Sequence, residues 1–178
     1  TIENMYQKVR SRQLNLNAYL SWDILKDLAF KATFAYTWRQ DRNEAFNNAD
    51  TYWGDPRYSA KHSNGNFSFR EWDGWSNEYT LTYKKRVKSH NITAMLGASM
   101  NSKTISTLGA SSTMVPWDGL GFWGISNGTP DKVTSTNFED RMMSYFARFN
   151  YDWKSRYLMT ATMRADGSSR FPYHKWGY

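Results

Sequence analysis

The stretch LAFKATFAYTWR, residues 28–39, decides the fold class. Its apolar residues occupy every second position from Leu28 to Trp38, and small or polar residues lie between them. On a helix, which turns about 100° per residue, these apolar residues would scatter around the axis, so the pattern predicts a β-strand. A strand of this length reaches about 40 Å at roughly 3.3 Å per residue, enough for a tilted strand to cross an apolar band of ~25 Å. Its apolar face therefore lies against a second sheet or against lipid.

The same alternation occurs in five other stretches of the chain. They are QLNLNAYLSW, WSNEYTLTYK, NITAMLGASM, MSYFARFNYDW and RYLMTATMR. Each predicts a further strand, which makes about six. Aromatic residues that are typical of membrane interfaces lie near the strand ends, at Trp22, Trp38, Tyr83, Tyr151 and Tyr157.

The connections between these strands alternate between short and long. Short turns are expected at residues 23–27, 84–90 and 152–155, and long segments at residues 40–74 and 101–138. Connections of about 35 residues greatly exceed the usual four to six. Short periplasmic turns at one rim and long extracellular loops at the other are the layout of outer-membrane barrels. The sequence therefore predicts an all-β fold, an antiparallel transmembrane β-barrel.

About six strands are too few to close such a barrel, because single-chain barrels start at about eight strands. An open sheet edge in hydrocarbon would leave backbone groups unpaired. We therefore expect these consecutive strands to belong to a larger barrel. The alternative is a small complete barrel in which the long segments hide further hairpins, with a strand at residues 64–72, NGNFSFREW.

Strand parity assigns side chains to two faces. The side chains expected to face lipid are Phe30, Phe34, Leu96, Tyr145 and Phe149. Those expected to line the lumen are Lys31, Thr33, Arg39, Glu78, Arg148, Asn150 and Arg164.

Composition and motifs argue against catalysis. The chain has 178 residues, no cysteine and a formal charge of +7. Its basic residues are spread singly except for one short cluster at residues 84–88, which we interpret as a solvated turn, so we expect no nucleic-acid partner. No nucleophile triad or carboxylate pair stands out, and the three histidines lack metal-ligand spacing. The motif GLGFWG, residues 119–124, fits G-x-G-x-x-G only formally, because Phe122 and Trp123 fill the space that a dinucleotide needs. We expect no enzyme, no cofactor and no metal.

The C-terminal stretch YFARFNYDWKSRYLMTATMRADGSSRF, residues 145–171, resembles the late barrel strands of SusC/RagA-type TonB-linked outer-membrane proteins. The matching pattern is a Tyr-Phe-x-Arg-x-Asn-Tyr strand, a short turn, a Tyr-Leu-x-Thr-Ala-Thr strand and the motif Asp-Gly-Ser-Ser-Arg-Phe. Upstream, LNAYLSWDILKDLAFKATFAY and NEYTLTYKK resemble earlier strands of the same family. Residues 166–169, DGSS, are expected to form a turn.

The resemblance implies a 22-stranded barrel with an N-terminal plug in the outer membrane of a Gram-negative bacterium. It implies TonB-dependent import of oligosaccharides or peptides beneath a SusD-like surface lipoprotein. Residues 1–178 would then be a segment of the barrel domain in contact with outer-membrane lipid, and the plug domain and signal peptide would lie outside this chain. A passive porin-type channel and a soluble carbohydrate-binding β-sandwich are the alternatives.

Aromatic residues in the long segments are the candidates for contact with a ligand or with the lipoprotein. These segments are rich in Gly, Asn and Ser, and flat rings there would stack on sugar faces or dock a partner. The alternative is that the rings pack inside the loops. The candidates are Trp53, Trp72, Trp117, Phe122 and Trp123.

Overall fold

The computed structural model describes residues 5–60, 62–170 and 176–177. It is all-β, with one sheet in which seven strands follow their chain order. The strands are β1 (Met5–Leu25), β2 (Leu28–Asn47), β3 (Asn64–Val87), β4 (His90–Thr113), β5 (Thr129–Trp153), β6 (Tyr157–Ser168) and β7 (Trp176–Gly177). The six predicted strands are confirmed, and β7 adds two residues. The antiparallel single sheet is not a sandwich, and β1 and β7 are its outer strands within the described residues.

The strands are longer than the alternating stretches suggested. β2 to β5 run for 20 to 25 residues each, well beyond the last alternating apolar position. The long connections therefore shrink to residues 48–63 and 114–128, and the expected boundaries at 40–74 and 101–138 were wrong. Residues 64–72 form the start of β3 and no separate hairpin. Residues 166–168 belong to β6 and the turn begins at Ser169, so the turn expected at residues 166–169 was placed too early.

Within the described ranges, helical structure occurs in the second long connection. A 3₁₀ segment, Asp118–Asn127, kinks at Gly121, whose φ of 52° is a conformation that glycine adopts without a Cβ penalty. Among the described residues, no helix has the length and hydropathy needed to cross a bilayer.

The chain divides into two compact units. The first contains, of the described residues, 5–13, 38–60, 62–72 and 104–138, and the second contains 14–37, 73–103, 139–170 and 176–177. All three predicted short turns fall in the second unit. There the Lys84 N–H donates to the Asp27 carbonyl and the Lys154 N–H to the Ser89 carbonyl, each at 2.8 Å. The short turns therefore lie beside one another, as predicted.

In the second unit, the pairing of β5 with β6 fixes which side chains share a face. Tyr145 pairs with Ala165, whereas Arg148 pairs with Thr162. Directly paired residues point to the same side of a sheet and consecutive residues to opposite sides. One face therefore carries aromatic, Ala and Met side chains, and the other carries mainly Arg, Asn and Thr. The polar face also carries Met142, Leu158 and Phe146, and Phe146 lies over Gly97 of β4.

Aromatic rings cluster beside the short turns. The rings of His90, Tyr151, Trp153 and Tyr157, here called the short-turn aromatic cluster, stack with centroid separations of 5.4 to 6.2 Å. A hydrogen bond of 2.7 Å joins His90 Nδ1 to the Tyr151 hydroxyl. Amphipathic rings with polar tips are what a membrane interface collects.

The first unit holds both long connections, which pack on each other. Their small core consists of Phe46, Val115 and Phe122, with Ile125 against it. The Val115 N–H donates to the Ser63 carbonyl at 3.0 Å, and the Ala49 N–H donates to Asp118 Oδ2 at 3.0 Å. The loops therefore have a defined structure of their own.

Candidate functional site

The loop core displays aromatic side chains on its surface. Trp53, Trp117 and Trp123 are 60, 65 and 73% exposed, respectively. Exposed aromatic rings that form a contiguous apolar patch mark interaction sites. These three tryptophans remain candidates for contact with a ligand or partner.

Phe122 corrects the sequence-based expectation. It was expected to be available for contact, but it is only 7% exposed and lies in the loop core. Its ring stacks on Tyr6 at 5.7 Å between centroids, and Trp123 meets it edge-on at 5.4 Å. Phe122 therefore supports the surface on which Trp123 is displayed. The alternative of internal packing holds for Phe122 alone among the candidates in the connections.

Trp72 also lies elsewhere than expected, because it belongs to β3 and not to a loop. The guanidinium carbons of Arg39 and Arg70 lie 5.1 and 4.7 Å from its ring centroid. Arg39 also forms an ion pair of 2.9 Å with Asp41, which accepts a further hydrogen bond from Ser11. Cations within about 6 Å of an indole ring are attracted to its face. Trp72 is therefore held by the sheet in a basic setting.

Two aromatic residues of the first connection escaped the sequence analysis. The Tyr52 ring stacks on Tyr58 at 5.5 Å and meets Trp53 edge-on at 5.2 Å. Both tyrosines are exposed. They lie in the same polar segment as Trp53, so the signal that selected Trp53 also applied to them.

A charged pair orders this aromatic group. Arg57 Nε and Nη2 donate to the Asp55 carboxylate at 3.0 and 2.6 Å, and the Arg57 backbone N–H donates to it at 2.8 Å. These hydrogen bonds hold the pKa of the Asp55 carboxyl below its ordinary value. Asp55 is therefore ionised at neutral pH. Its partner Arg57 directly precedes Tyr58 in the chain.

Several residues that were predicted to line the lumen come together on the polar face of the second unit. Glu78, Arg148 and Arg164 line one groove of about 320 Å³, together with Ser99 and Thr162. Arg164 Nε donates to Asp166 Oδ1 at 2.8 Å. Asn150 accepts a hydrogen bond of 3.0 Å from the Thr160 hydroxyl, and Lys31 lies over the Tyr19 ring.

The residues expected to face lipid lie on β2, β4 and β5. Phe34, Leu96, Tyr145 and Phe149 are all exposed in the described part of the chain. Phe30 stacks on Tyr79 at 6.4 Å. Thr33 is half-buried on β2, between Ala32 and Phe34.

The chemistry available at these positions is stacking, ion pairing and hydrogen bonding. Within residues 5–60, 62–170 and 176–177, no three His, Cys, Asp or Glu side chains gather as a metal-ligand set. The exposed tryptophans offer flat apolar faces, and the polar face offers guanidinium groups for anionic or hydroxyl-bearing ligands.

Comparison with known proteins identifies relatives among receptors. No family model matches the chain. It is 28% identical over 158 residues to the TonB-dependent receptor P26 of Formosa agariphila, covering 86% of this chain and 16% of the receptor. It is 57% identical over 37 residues to the TonB-dependent receptor SusC of Bacteroides thetaiotaomicron, which is 20% of this chain and 4% of SusC. The chain thus spans about one sixth of the length of P26.

The fold has a counterpart among solved structures. The RagAB peptide transporter superposes with a TM-score of 0.80 at 23% sequence identity, covering 98% of this chain and 20% of the matched chain. At this identity the likeness concerns the fold. The sheet of this chain matches part of the RagA barrel.

Proposed function

We propose, from the chain's membership of the SusC/RagA-type TonB-dependent receptors, that the whole protein imports a nutrient across the outer membrane of a Gram-negative bacterium. The observation that carries the proposal is the similarity to a TonB-dependent receptor along 158 residues. The chain itself supplies strands of the barrel wall and loops at the mouth of the barrel. Its relatives are receptors and transporters, and we infer that it performs no catalysis.

The cargo that we propose is an oligosaccharide or a peptide. Trp53, Trp117 and Trp123 present exposed rings on connections that have their own packed core. Rings on an ordered support lose little conformational entropy on binding, and they can stack on sugar faces or on peptide side chains. The same rings would serve to dock a SusD-like surface lipoprotein. TonB would act through a plug domain outside this chain.

The two sheet faces receive the roles that their chemistry favours. We propose that the face with Phe30, Phe34, Leu96, Tyr145 and Phe149 contacts outer-membrane lipid. The opposite face would line the lumen through Lys31, Thr33, Arg39, Glu78, Arg148, Asn150 and Arg164. Exposed aromatic residues beside Ala and Met on one side, and Arg with Thr on the other, support this assignment.

The proposed function is tested by uptake in the parent organism. Uptake of the cognate nutrient by cells with the full-length receptor should stop when TonB is removed. Trp117→Ala combined with Trp123→Ala should impair uptake while the receptor stays folded in the membrane. Uptake that continues undiminished without TonB would instead identify a passive channel.

A further inference from the structure

A groove of about 490 Å³ crosses the apolar face of the second unit, between β3 and β6. Its apolar lining consists of Trp75, Met100, Met143 and the preceding residue Met142. Gly167 lies opposite Met143 in the pairing of β5 with β6 and also lines the groove. The volume lies within the ~300–1,000 Å³ that is usual for ligand pockets.

The groove lies on the face that we assign to lipid. Gly167 and Met143 have the same parity on their strands as Met163 and Tyr145. A depression on that face is filled by lipid, because water inside hydrocarbon would lack hydrogen-bond partners. The inference therefore rests on the proposed orientation of the faces, and on no property of the cargo.

The position of the groove along the strands places it at a membrane interface. Met143 precedes Trp153 of the short-turn aromatic cluster by ten residues, and Arg141 precedes it by twelve. At about 3.3 Å per residue and a tilt of about 40°, these separations are about 25 and 30 Å along the membrane normal. The apolar band of such barrels is about 25 Å tall, so Met143 reaches its far edge and Arg141 lies just beyond it, at headgroup level.

Arg141 gives the groove its charge. Its backbone is fixed to Ser169, whose N–H donates to the Arg141 carbonyl at 2.9 Å and whose hydroxyl accepts from the Arg141 N–H at 3.0 Å. The Arg141 side chain is 70% exposed and forms an ion pair of 2.6 Å with Glu139. Exposed ion pairs contribute little and exchange readily, whereas a guanidinium can contact a phosphate through two parallel hydrogen bonds.

We propose that this groove binds an acyl chain of an anionic membrane lipid, with the Arg141 guanidinium on the phosphate of the lipid headgroup. The apolar lining accommodates the chain. The apolar lining lies within the hydrocarbon and the Arg141 cation lies at headgroup level, which matches the positions of a lipid's acyl chain and its headgroup. Neither group alone would select a lipid.

The test uses the full-length receptor in detergent, with phosphatidylglycerol and phosphatidylcholine of identical acyl chains offered as competitors. Native mass spectrometry measures which lipid the protein retains. We expect a preference for phosphatidylglycerol, reduced about fivefold by Arg141→Gln and kept by Arg141→Lys. Gly167→Leu, which fills the groove, should lower retention of both lipids. Arg12→Gln is the matched control, because Arg12 is an exposed arginine of β1 outside the groove lining.

Three results would overturn the proposal. The first is an equal preference in the native protein and in Arg141→Gln, and the second is a loss of preference in Arg12→Gln as large as in Arg141→Gln. The third is full displacement of phosphatidylglycerol by inorganic phosphate alone, which would indicate an anion site without a tail pocket. Should Gly167→Leu fail to fold, the comparison of Arg141→Gln with Arg141→Lys still decides. Nutrient uptake is not part of the readout, so the test is independent of the proposed cargo.

Discussion

Replacing Phe122 by alanine should loosen the loop core without removing any exposed ring. The Phe122 side chain is 7% exposed and packs with Phe46, Val115 and Ile125, and it stacks on Tyr6. Truncating a buried phenylalanine costs about 3 to 5 kcal/mol. We expect the lower end, about 3 kcal/mol, because a core of so few residues can partly collapse into the space.

Hydrogen exchange of the full-length receptor measures this loss directly. A local destabilisation of about 3 kcal/mol should speed amide exchange in residues 48–63 and 114–128 by about two orders of magnitude, since 1.36 kcal/mol is a factor of ten. The neighbouring substitution Trp123→Ala is the matched control, because Trp123 is exposed on the same 3₁₀ segment. It should leave exchange nearly unchanged and weaken ligand capture or lipoprotein docking. Unchanged exchange in Phe122→Ala, or equal acceleration in both variants, would refute the division between supporting and contacting rings.

Three further predictions concern the sheet faces, a close contact between strands and the first long connection. Phe34→Arg should lower unfolding free energy in lipid by about 2 to 4 kcal/mol, whereas Thr33→Arg on the opposite face should cost much less; equal losses in denaturant titrations would contradict the face assignment. Gly97→Ala should clash with the Phe146 ring and cost about 1 to 3 kcal/mol, and a double-mutant cycle should show this cost disappearing in Phe146→Ala. The pKa of Asp55 is lowered in the folded loop, so ionised Asp55 stabilises the loop fully above the ordinary carboxyl pKa of about 3.9. This stabilisation is lost as the pH falls through the lowered pKa. Asp55→Asn should therefore abolish the pH dependence of amide exchange in residues 48–63.

The strands and their faces were predictable because alternation is a local property of the sequence. Residues 28–39 specify a strand by themselves, and parity then separates Phe34 from Thr33. The same rule underestimated β2, which continues through RQDRNEAFN to Asn47. In that part both faces are largely polar, so the alternation fades although the ladder of backbone hydrogen bonds continues.

The loops were less predictable because their structure depends on contacts between distant residues. Phe122 is buried by Phe46 of β2 and by Val115 of its own connection. No local sequence pattern predicts this contact. Residues 166–168 have the composition of a turn, but pairing with residues 142–144 keeps them in β6. Tertiary pairing overrides local turn propensity here.

The claim that these strands form the wall of an outer-membrane barrel is tested most directly by cysteine scanning of the full-length receptor in lipid vesicles. This chain contains no cysteine, so single substitutions along residues 28–39 and 145–151 introduce unique labelling sites within it. Spin labels at these positions are exposed in turn to lipid-soluble oxygen and to a water-soluble nickel chelate. The account predicts accessibility that alternates with every residue, with positions 30, 34, 145 and 149 contacting oxygen and positions 31, 33, 148 and 150 contacting the chelate. Uniform accessibility to the chelate at all positions, or an alternation of the opposite phase, would contradict it.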